Sequence, residues 1–102
     1  MTEKILHLTL KRKYFDEISS GKKKKEYRDF KEYWIKRLMI PKVNRPIHLS
    51  DFRIKDFDYV IFRNGYGKNV PEMKIECLGI SVLYDAKFVI HLGGIIYIKN
   101  NK

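Results

Sequence analysis

The residues best suited to chemistry lie in one octet, residues 21–28, which reads Gly-Lys-Lys-Lys-Lys-Glu-Tyr-Arg. If a strand begins near Lys24, side chains two positions apart share a face, so Glu26 and Arg28 stand about 7 Å apart. A guanidinium offers a planar fork of donors that suits a phosphate, a carbonyl or a base edge. A neighbouring carboxylate can orient that guanidinium or accept a hydrogen bond from a nucleobase amine. The octet therefore predicts a binding site whose charged groups are Lys23, Glu26 and Arg28.

The same octet also allows a catalytic interpretation. Crowding by like charges favours the neutral form of a lysine, which is the form that acts as a base or nucleophile. Lys23, just after Gly21, would then be the base of a hydrolase, and Glu26 its acid or orienting group. A structural alternative is that Glu26 and Arg28 form an ion pair on a solvated strand face, with the lysines simply exposed. Spacing alone leaves these interpretations open.

Two further groups of residues suit contacts with RNA. Lys11 and Lys13 stand just before the first predicted helix and suit phosphate contacts, although a solvated basic patch fits them equally well. Arg63, Asn64 and Tyr66 leave a predicted strand together, and a cation, an amide and an aromatic ring in one loop can hold an unstacked base. Ordinary turn residues are the alternative for these three.

The composition favours a small, basic, folded protein. A chain of 102 residues suits one domain, residues 1–102, and its 44% hydrophobic content with six Phe, seven Tyr and one Trp argues against disorder. The formal net charge of +10 attracts polyanions, of which nucleic acid is the first candidate. A membrane surface suits the chain less well, because no amphipathic helix combines a basic face with a long apolar one.

Metal and cofactor chemistry find no support in the sequence. Cys77 is the only cysteine, which excludes disulfide frameworks and cysteine-based zinc sites. The three histidines lack metal-ligand spacing, so we expect no metal and no cofactor. The N-terminus lacks a signal-peptide pattern and the apolar stretches are shorter than a membrane span, so we expect a cytoplasmic protein.

Hydrophobic periodicity predicts the elements that position the octet. Residues 5–10 alternate as a strand does, and residues 13–20 carry apolar side chains at helical spacing. Gly21 stands where the glycine that follows a helix belongs. Residues 24–29 alternate again, so the octet is predicted to run from a helix end into a second strand.

A second helix is predicted after this strand. Residues 30–38 carry an aromatic or apolar side chain every fourth position, which places Trp34 in the core and ends the helix before Pro41. Residues 41–57 are predicted to be a long connection with a strand fragment at residues 47–49.

Strands dominate the second half of the chain. Alternation and turn signals predict a strand after this connection, a long bulged strand and two strands joined by a glycine turn: residues 59–62, residues 73–83 with a bulge at Gly79, and residues 88–92 and 95–98 on either side of Gly93–Gly94. Five or six short strands with two early helices indicate an α+β fold, a small and partly closed β-barrel decorated by helices.

The element Gly21-x-Lys23-x-x-Glu26-x-Arg28 resembles the hallmark of the ASCH domain (activating signal cointegrator homology). The preceding leucines of the first strand and the apolar residues of the first helix also resemble that family. The resemblance implies a PUA-like β-barrel of five to six strands with two or three short helices. It further implies a cleft beside the first helix that gathers Lys23, Glu26 and Arg28, and a role connected with RNA.

Some relatives of this fold are hydrolases, namely a ribonuclease and amidohydrolases that act on N4-acetylcytidine. The amidohydrolase type resembles Gly-x-Lys-x-x-Thr-x-Arg with a distant acid, whereas this chain has Glu26 in place of the threonine and Glu76 as a candidate acid. The leading hypothesis is therefore a module that binds RNA or a nucleotide-like ligand. A hydrolase acting on RNA or on a modified nucleoside is the alternative, and an adaptor for an acidic protein partner is a third.

Overall fold

The computed structural model of the protein describes residues 2–83 and 87–101. Seven strands and two α-helices follow one another along these residues: β1 (Ile5–Thr9), α1 (Arg12–Ser19), β2 (Lys25–Asp29), α2 (Glu32–Leu38), β3 (Met39–Pro41), β4 (Phe52–Ile54), β5 (Tyr59–Arg63), β6 (Glu72–Leu83) and β7 (Lys87–Lys99). A short 3-10 turn, Leu49–Asp51, precedes β4.

Five of the strands form one curled, mixed sheet in the order β1-β5-β6-β7-β2. β1 runs parallel to β5, and the other neighbours are antiparallel. β3 and β4 form a separate two-stranded antiparallel sheet. The predicted α+β class is confirmed, and the curl makes the large sheet a half-barrel. Its two edge strands, β1 and β2, are the strands nearest to the predicted site residues.

The core fills the concave side of the curled sheet. Leu6 and Leu8 of β1 alternate inward, and α1 closes over them with the fully buried side chains of Phe15 and Ile18. Strands β5, β6 and β7 contribute apolar side chains at every second position in the same way: Val60, Phe62, Met73, Ile75, Phe88, Ile90 and Leu92. Burial of this apolar surface is the main force that holds the sheet curled around the helix.

β2 departs from this pattern because its inward positions carry charges. Glu26 lies opposite the buried Ile90 of β7, and Arg28 lies opposite the buried Phe88. Partners in register share a face of a sheet, so both charged side chains point toward the core side. The solvated-face alternative for this ion pair is therefore wrong.

The predicted glycine turn at Gly93–Gly94 is also wrong, because β7 runs without interruption from Lys87 to Lys99 beside the long β6. A Cβ at Gly93 would collide with the carboxylate of Glu76, so this glycine makes room for a neighbouring side chain. The predicted bulge at Gly79 is confirmed by its φ of 134° and by a register shift between Cys77 and Gly79. The predicted strand fragment at 47–49 gives way to the 3-10 turn and β4.

Candidate functional site

Glu26 is the centre of the candidate site and is only 4% exposed. Its Oε1 accepts hydrogen bonds from Lys23 Nζ at 2.8 Å and from the backbone N–H of Tyr27 at 3.1 Å. Its Oε2 lies 3.1 Å from Nη1 of Arg28. Buried carboxylates are stable only when paired and hydrogen-bonded in this way. We call Lys23, Glu26 and Arg28 the charged triad.

The end of α1 places Lys23 against Glu26. Gly21 adopts a φ of 82°, which ends the helix in the left-handed region, and its N–H donates to the carbonyl of Ile18 at 3.1 Å. The N–H of Lys23 then donates to the carbonyl of Glu17 at 3.0 Å. The backbone of Lys23 is thus attached to α1 while its side chain reaches β2. This confirms the predicted role of Gly21.

Two tyrosine rings flank the ammonium group of Lys23. Nζ lies 4.6 Å from the ring centroid of Tyr14 on α1 and 6.0 Å from that of Tyr27 on β2. Both distances fall within the range of cation–π attraction. The side chain of Lys23 is still 22% exposed, and it lines a cleft.

Arg28 connects the two edges of the half-barrel. Its Nη1 donates to the carbonyl of Tyr27 on β2 at 2.7 Å, and its Nη2 donates to the carbonyl of Thr9 on β1 at 3.4 Å. Arg37 of α2 donates to the carbonyl of His7, which lies two residues before Thr9 on the same edge of β1. Edge strands present unpaired carbonyls. Two guanidinium groups therefore lie along the edge of β1 where a further strand would otherwise pair.

The charged triad lines a cleft of about 370 Å³ between α1, β1 and β2, which we call the triad cleft. Its wall contains four of the predicted site residues, together with two tyrosines and the end of β1: Thr9, Leu10, Lys11, Tyr14, Lys23, Glu26, Tyr27 and Arg28. Lys13 lies outside this wall, exposed on α1 with its Nζ 5.9 Å from the ring of Tyr14.

A second cleft of about 430 Å³ adjoins the first, and Thr9 and Arg28 line both. We call it the tryptophan cleft, because Trp34 of α2 lies in its wall. The other lining residues come from β1, β2, α2, β5 and the loop after β5: His7, Leu8, Thr9, Arg28, Tyr33, Arg37, Arg63, Gly65 and Tyr66. Arg63 and Tyr66, predicted from sequence, are therefore near each other and near Arg28. Trp34 packs against the core as predicted, but it also faces this cleft.

The tryptophan cleft contains residues that sequence reasoning missed. Tyr33 and Arg37 are one helical turn apart, and Nη1 of Arg37 lies 3.1 Å from the hydroxyl of Tyr33. The sequence does contain a signal for these two residues, an aromatic and a cationic side chain four positions apart on a helix. The signal is not specific, because the same spacing occurs on many solvated helices.

Asn64 fastens the loop after β5 to the end of β1. Its side-chain amide donates to the carbonyl of Leu10 at 2.9 Å, and its backbone N–H donates to the carbonyl of Pro71 at 2.9 Å. Asn64 lines neither the triad cleft nor the tryptophan cleft among the described residues. The contacts of Asn64 are thus structural, whereas its predicted partners Arg63 and Tyr66 reach a cleft.

Arg63 is held by the carboxylate of Glu72 and by the loop. Its Nη2 donates to the carbonyl of Gly67 at 2.7 Å, and its buried Nε lies 3.2 Å from Oε1 of Glu72 in an ionic contact without hydrogen-bond geometry. Burial opposes the ionisation of Glu72, but hydrogen bonds from Tyr97 and Lys99 and the charges of Lys99 and Arg63 outweigh it and lower its pKa. The pKa of Tyr97 is raised to about 12. Burial is the largest cause, and the hydrogen bond to Glu72 and the negative charge of Glu72 add to it.

Glu76 lies apart from the charged triad. It occupies an exposed position of β6 and lines a third cleft together with residues near the N-terminus and Cys77. Burial raises the pKa of the Cys77 thiol, as expected for a packed cysteine. Among residues 2–83 and 87–101, Glu76 is absent from the wall of the triad cleft, so it does not supply the distant acid considered above.

In the part of the chain that the structure describes, no group of three or more histidine, cysteine or acidic side chains is arranged to hold a metal ion. No helix there is long and apolar enough to cross a membrane.

No protein-family model, curated protein or solved structure matches the chain. The functional argument therefore rests on the geometry of the two adjoining clefts.

Proposed function

We propose that the protein is a PUA-like ASCH module that binds single-stranded RNA or a nucleotide-like ligand in the triad cleft. The observation that carries this proposal is the buried Glu26, which holds Lys23 and Arg28 at the cleft wall through contacts of 2.8 and 3.1 Å. A buried carboxylate with two cations is costly to maintain for stability alone. Glu26 instead serves binding if it holds Lys23 and Arg28 in place before a ligand arrives, because preorganised groups lose less entropy on binding.

The two cations keep donors for a ligand. An ammonium has three N–H groups, and Lys23 directs one of them to Glu26. A guanidinium has five, and the described hydrogen bonds of Arg28, to the carbonyls of Tyr27 and Thr9, engage two of them. Phosphate oxygens and base carbonyls are the acceptors that suit such donors.

The rims of the triad cleft suit bases rather than a simple anion. Tyr14 and Tyr27 expose their rings on either side of Lys23. Single-stranded nucleic acids bind where aromatic rings stack on bases and a basic groove follows the backbone. The net charge of +10 supplies the long-range attraction.

The curled five-stranded sheet and the position of the triad beside α1 support the PUA-like part of the proposal. The motif Gly21-x-Lys23-x-x-Glu26-x-Arg28 supports its ASCH part. The hydrolase alternative is weaker, because Oε1 of Glu26 already accepts two hydrogen bonds from the protein and its Oε2 lies in ionic contact with Arg28. Incubation of the protein with end-labelled RNA tests that alternative directly, and we expect the RNA to remain intact.

Two alanine variants that remove one charge each test the proposed site. Arg28→Ala removes a guanidinium of the triad, whereas Lys24→Ala removes an exposed charge from the same octet. We expect Arg28→Ala to weaken the affinity for a fluorescent single-stranded RNA at least tenfold, and Lys24→Ala to change it about twofold, the size of a screened surface charge. Equal small losses for the two variants would show that the octet acts only as a charged patch.

A further inference from the structure

We infer that the tryptophan cleft is a second nucleotide subsite, so that one RNA strand lies across both clefts with Arg28 between two successive nucleotides. This inference rests on the proposed function of the triad cleft. It assigns a ligand to a cleft that lies largely outside the octet. Among the described lining residues of this cleft, Arg28 is the only one that belongs to residues 21–28. The ligand class is a nucleobase with its phosphate, within a single strand of at least two nucleotides.

The positively charged wall of the tryptophan cleft suits an anionic ligand. Three arginines, Arg28, Arg37 and Arg63, lie in its wall, and no aspartate or glutamate is among the described lining residues. A cavity of about 430 Å³ lies within the range of small-molecule sites. Clustered arginines without acidic neighbours in the wall are typical of phosphate recognition.

Each of these arginines is already oriented by contacts behind the cleft wall. Arg28 is fixed by Glu26, and Arg63 by Glu72 and the carbonyl of Gly67. Arg37 donates to a carbonyl of β1 and lies beside the hydroxyl of Tyr33, as described above. Side chains that are fixed before binding lose less conformational entropy when a phosphate arrives.

The aromatic residues of the cleft suit a base. The guanidinium carbons of Arg28 and Arg37 lie 5.2 and 5.7 Å from the ring centroid of Trp34, so two cations and one indole form a joint surface. Tyr66 stands in the loop between Gly65 and Gly67 and is 89% exposed. An exposed tyrosine at the mouth of a cationic, aromatic cleft is well placed to cover a stacked base.

The two clefts are continuous at Arg28 and Thr9, which line both. A strand that stacks one base on the exposed ring of Tyr14, at the rim of the triad cleft, therefore has the tryptophan cleft beside it for its next nucleotide. Arg28 is then the shared cation at the phosphate between them. A single nucleotide would occupy only one of the clefts, so the inference predicts that two linked nucleotides bind better than one.

Oligouridylates of one to four nucleotides, titrated by calorimetry, test this inference. We expect the dinucleotide to bind at least tenfold more tightly than uridine monophosphate. Tyr66→Ala should weaken dinucleotide binding about 5- to 150-fold, which is the range for loss of one base-stacking aromatic. Tyr66→Phe keeps the ring and should bind as the unaltered protein does.

Arg37→Gln tests the phosphate part of the subsite, and Lys36→Gln is its matched control. Both variants lose one positive charge from α2, but Lys36 is 75% exposed, pairs with Glu32 and lies outside the cleft wall. With a longer single-stranded RNA, Arg37→Gln should reduce the slope of log affinity against log salt by about 0.7. Lys36→Gln should leave that slope unchanged.

The possible results separate this inference from the proposed function. If Arg28→Ala weakens dinucleotide binding while Tyr66→Ala and Arg37→Gln do not, the second subsite is refuted and the triad cleft stands. If uridine monophosphate binds as tightly as the dinucleotide, the two-nucleotide site is likewise refuted. If neither oligouridylates nor longer RNA bind the unaltered protein, the proposed function and this inference fail together.

Discussion

Replacement of Glu26 by glutamine distinguishes a preorganised site from a basic patch. Glutamine has nearly the shape of glutamate but lacks its charge. Its carbonyl can still accept one of the hydrogen bonds now made to Oε1, whereas its amide would present N–H groups to Arg28 in place of Oε2. Lys23 and Arg28 would then stand partly buried without their counter-ion.

The expected loss of stability follows from the burial of the two cations. Breaking a fully buried ion pair by removing one partner costs about 3–5 kcal/mol. The side chains of Lys23 and Arg28 remain 22% and 16% exposed, so water screens part of the unpaired charge. We therefore expect Glu26→Gln to lower the free energy of unfolding by roughly 2–3 kcal/mol, a loss that most single domains survive. Urea denaturation followed by Trp34 fluorescence measures it.

Glu26→Gln should weaken the binding of single-stranded RNA even though it makes the protein more positive. Glu26→Gln raises the formal charge from +10 by one, so a simple charged patch would bind RNA more tightly. Loss of the anchor should instead weaken binding about tenfold, because Lys23 and Arg28 are no longer held at the cleft. Fluorescence anisotropy with a labelled RNA measures the change, under conditions where the variant is folded.

Glu32→Gln is the matched control for this experiment. It makes the same change in charge on α2, where Glu32 is 81% exposed and pairs with Lys36 at 3.1 Å. An exposed pair of this kind contributes about 0.3–0.5 kcal/mol, and its loss should leave RNA binding unchanged or slightly tighter. If Glu26→Gln behaves like Glu32→Gln in both stability and affinity, the reasoning about the charged triad is refuted.

Three other substitutions test the surroundings of the clefts. Gly21→Ala should lower the free energy of unfolding by about 1–2 kcal/mol, because a residue with a Cβ is strained at a φ of 82°; an unchanged urea midpoint would contradict this. Glu72→Gln should be destabilising at neutral pH. Because folding lowers the pKa of Glu72, its contribution is present above the ordinary value of 4.5 and lost as the pH falls below it, so the stabilities of the two proteins should converge in acid. A difference that stays constant from neutral to acid pH would exclude this role. Absorbance titration should show one tyrosine ionising near pH 12, and Tyr97→Phe should remove that step; its persistence in the variant would assign it to another tyrosine.

The sequence predicted the members of the charged triad because their spacing is local. Period-two alternation placed Glu26 and Arg28 on one face, and the glycine that ends α1 placed Lys23 beside them. The direction of that face was beyond local reasoning, since β2 has charged or aromatic residues on both sides. Only the pairing of β2 with the buried positions of β7 turns Glu26 inward.

The tryptophan cleft could not be predicted from the sequence because it is assembled over long separations. Arg37 contacts the carbonyl of His7, which is 30 residues away along the chain. The glycine pair at residues 93–94 failed as a turn signal for a related reason. Its local propensity favours a turn, but the space beside Gly93 is needed by the Glu76 side chain from the adjacent strand.

The most direct test of the central claim is a nuclear magnetic resonance titration of the labelled protein with a short single-stranded RNA. If the triad cleft is the binding site, the side-chain signals of Lys23 and Arg28 and the ring signals of Tyr14 and Tyr27 will shift together. Signals of the exposed Lys36 will remain in place. Shifts that spread over exposed lysines while those of Arg28 stay unchanged would contradict the proposed site.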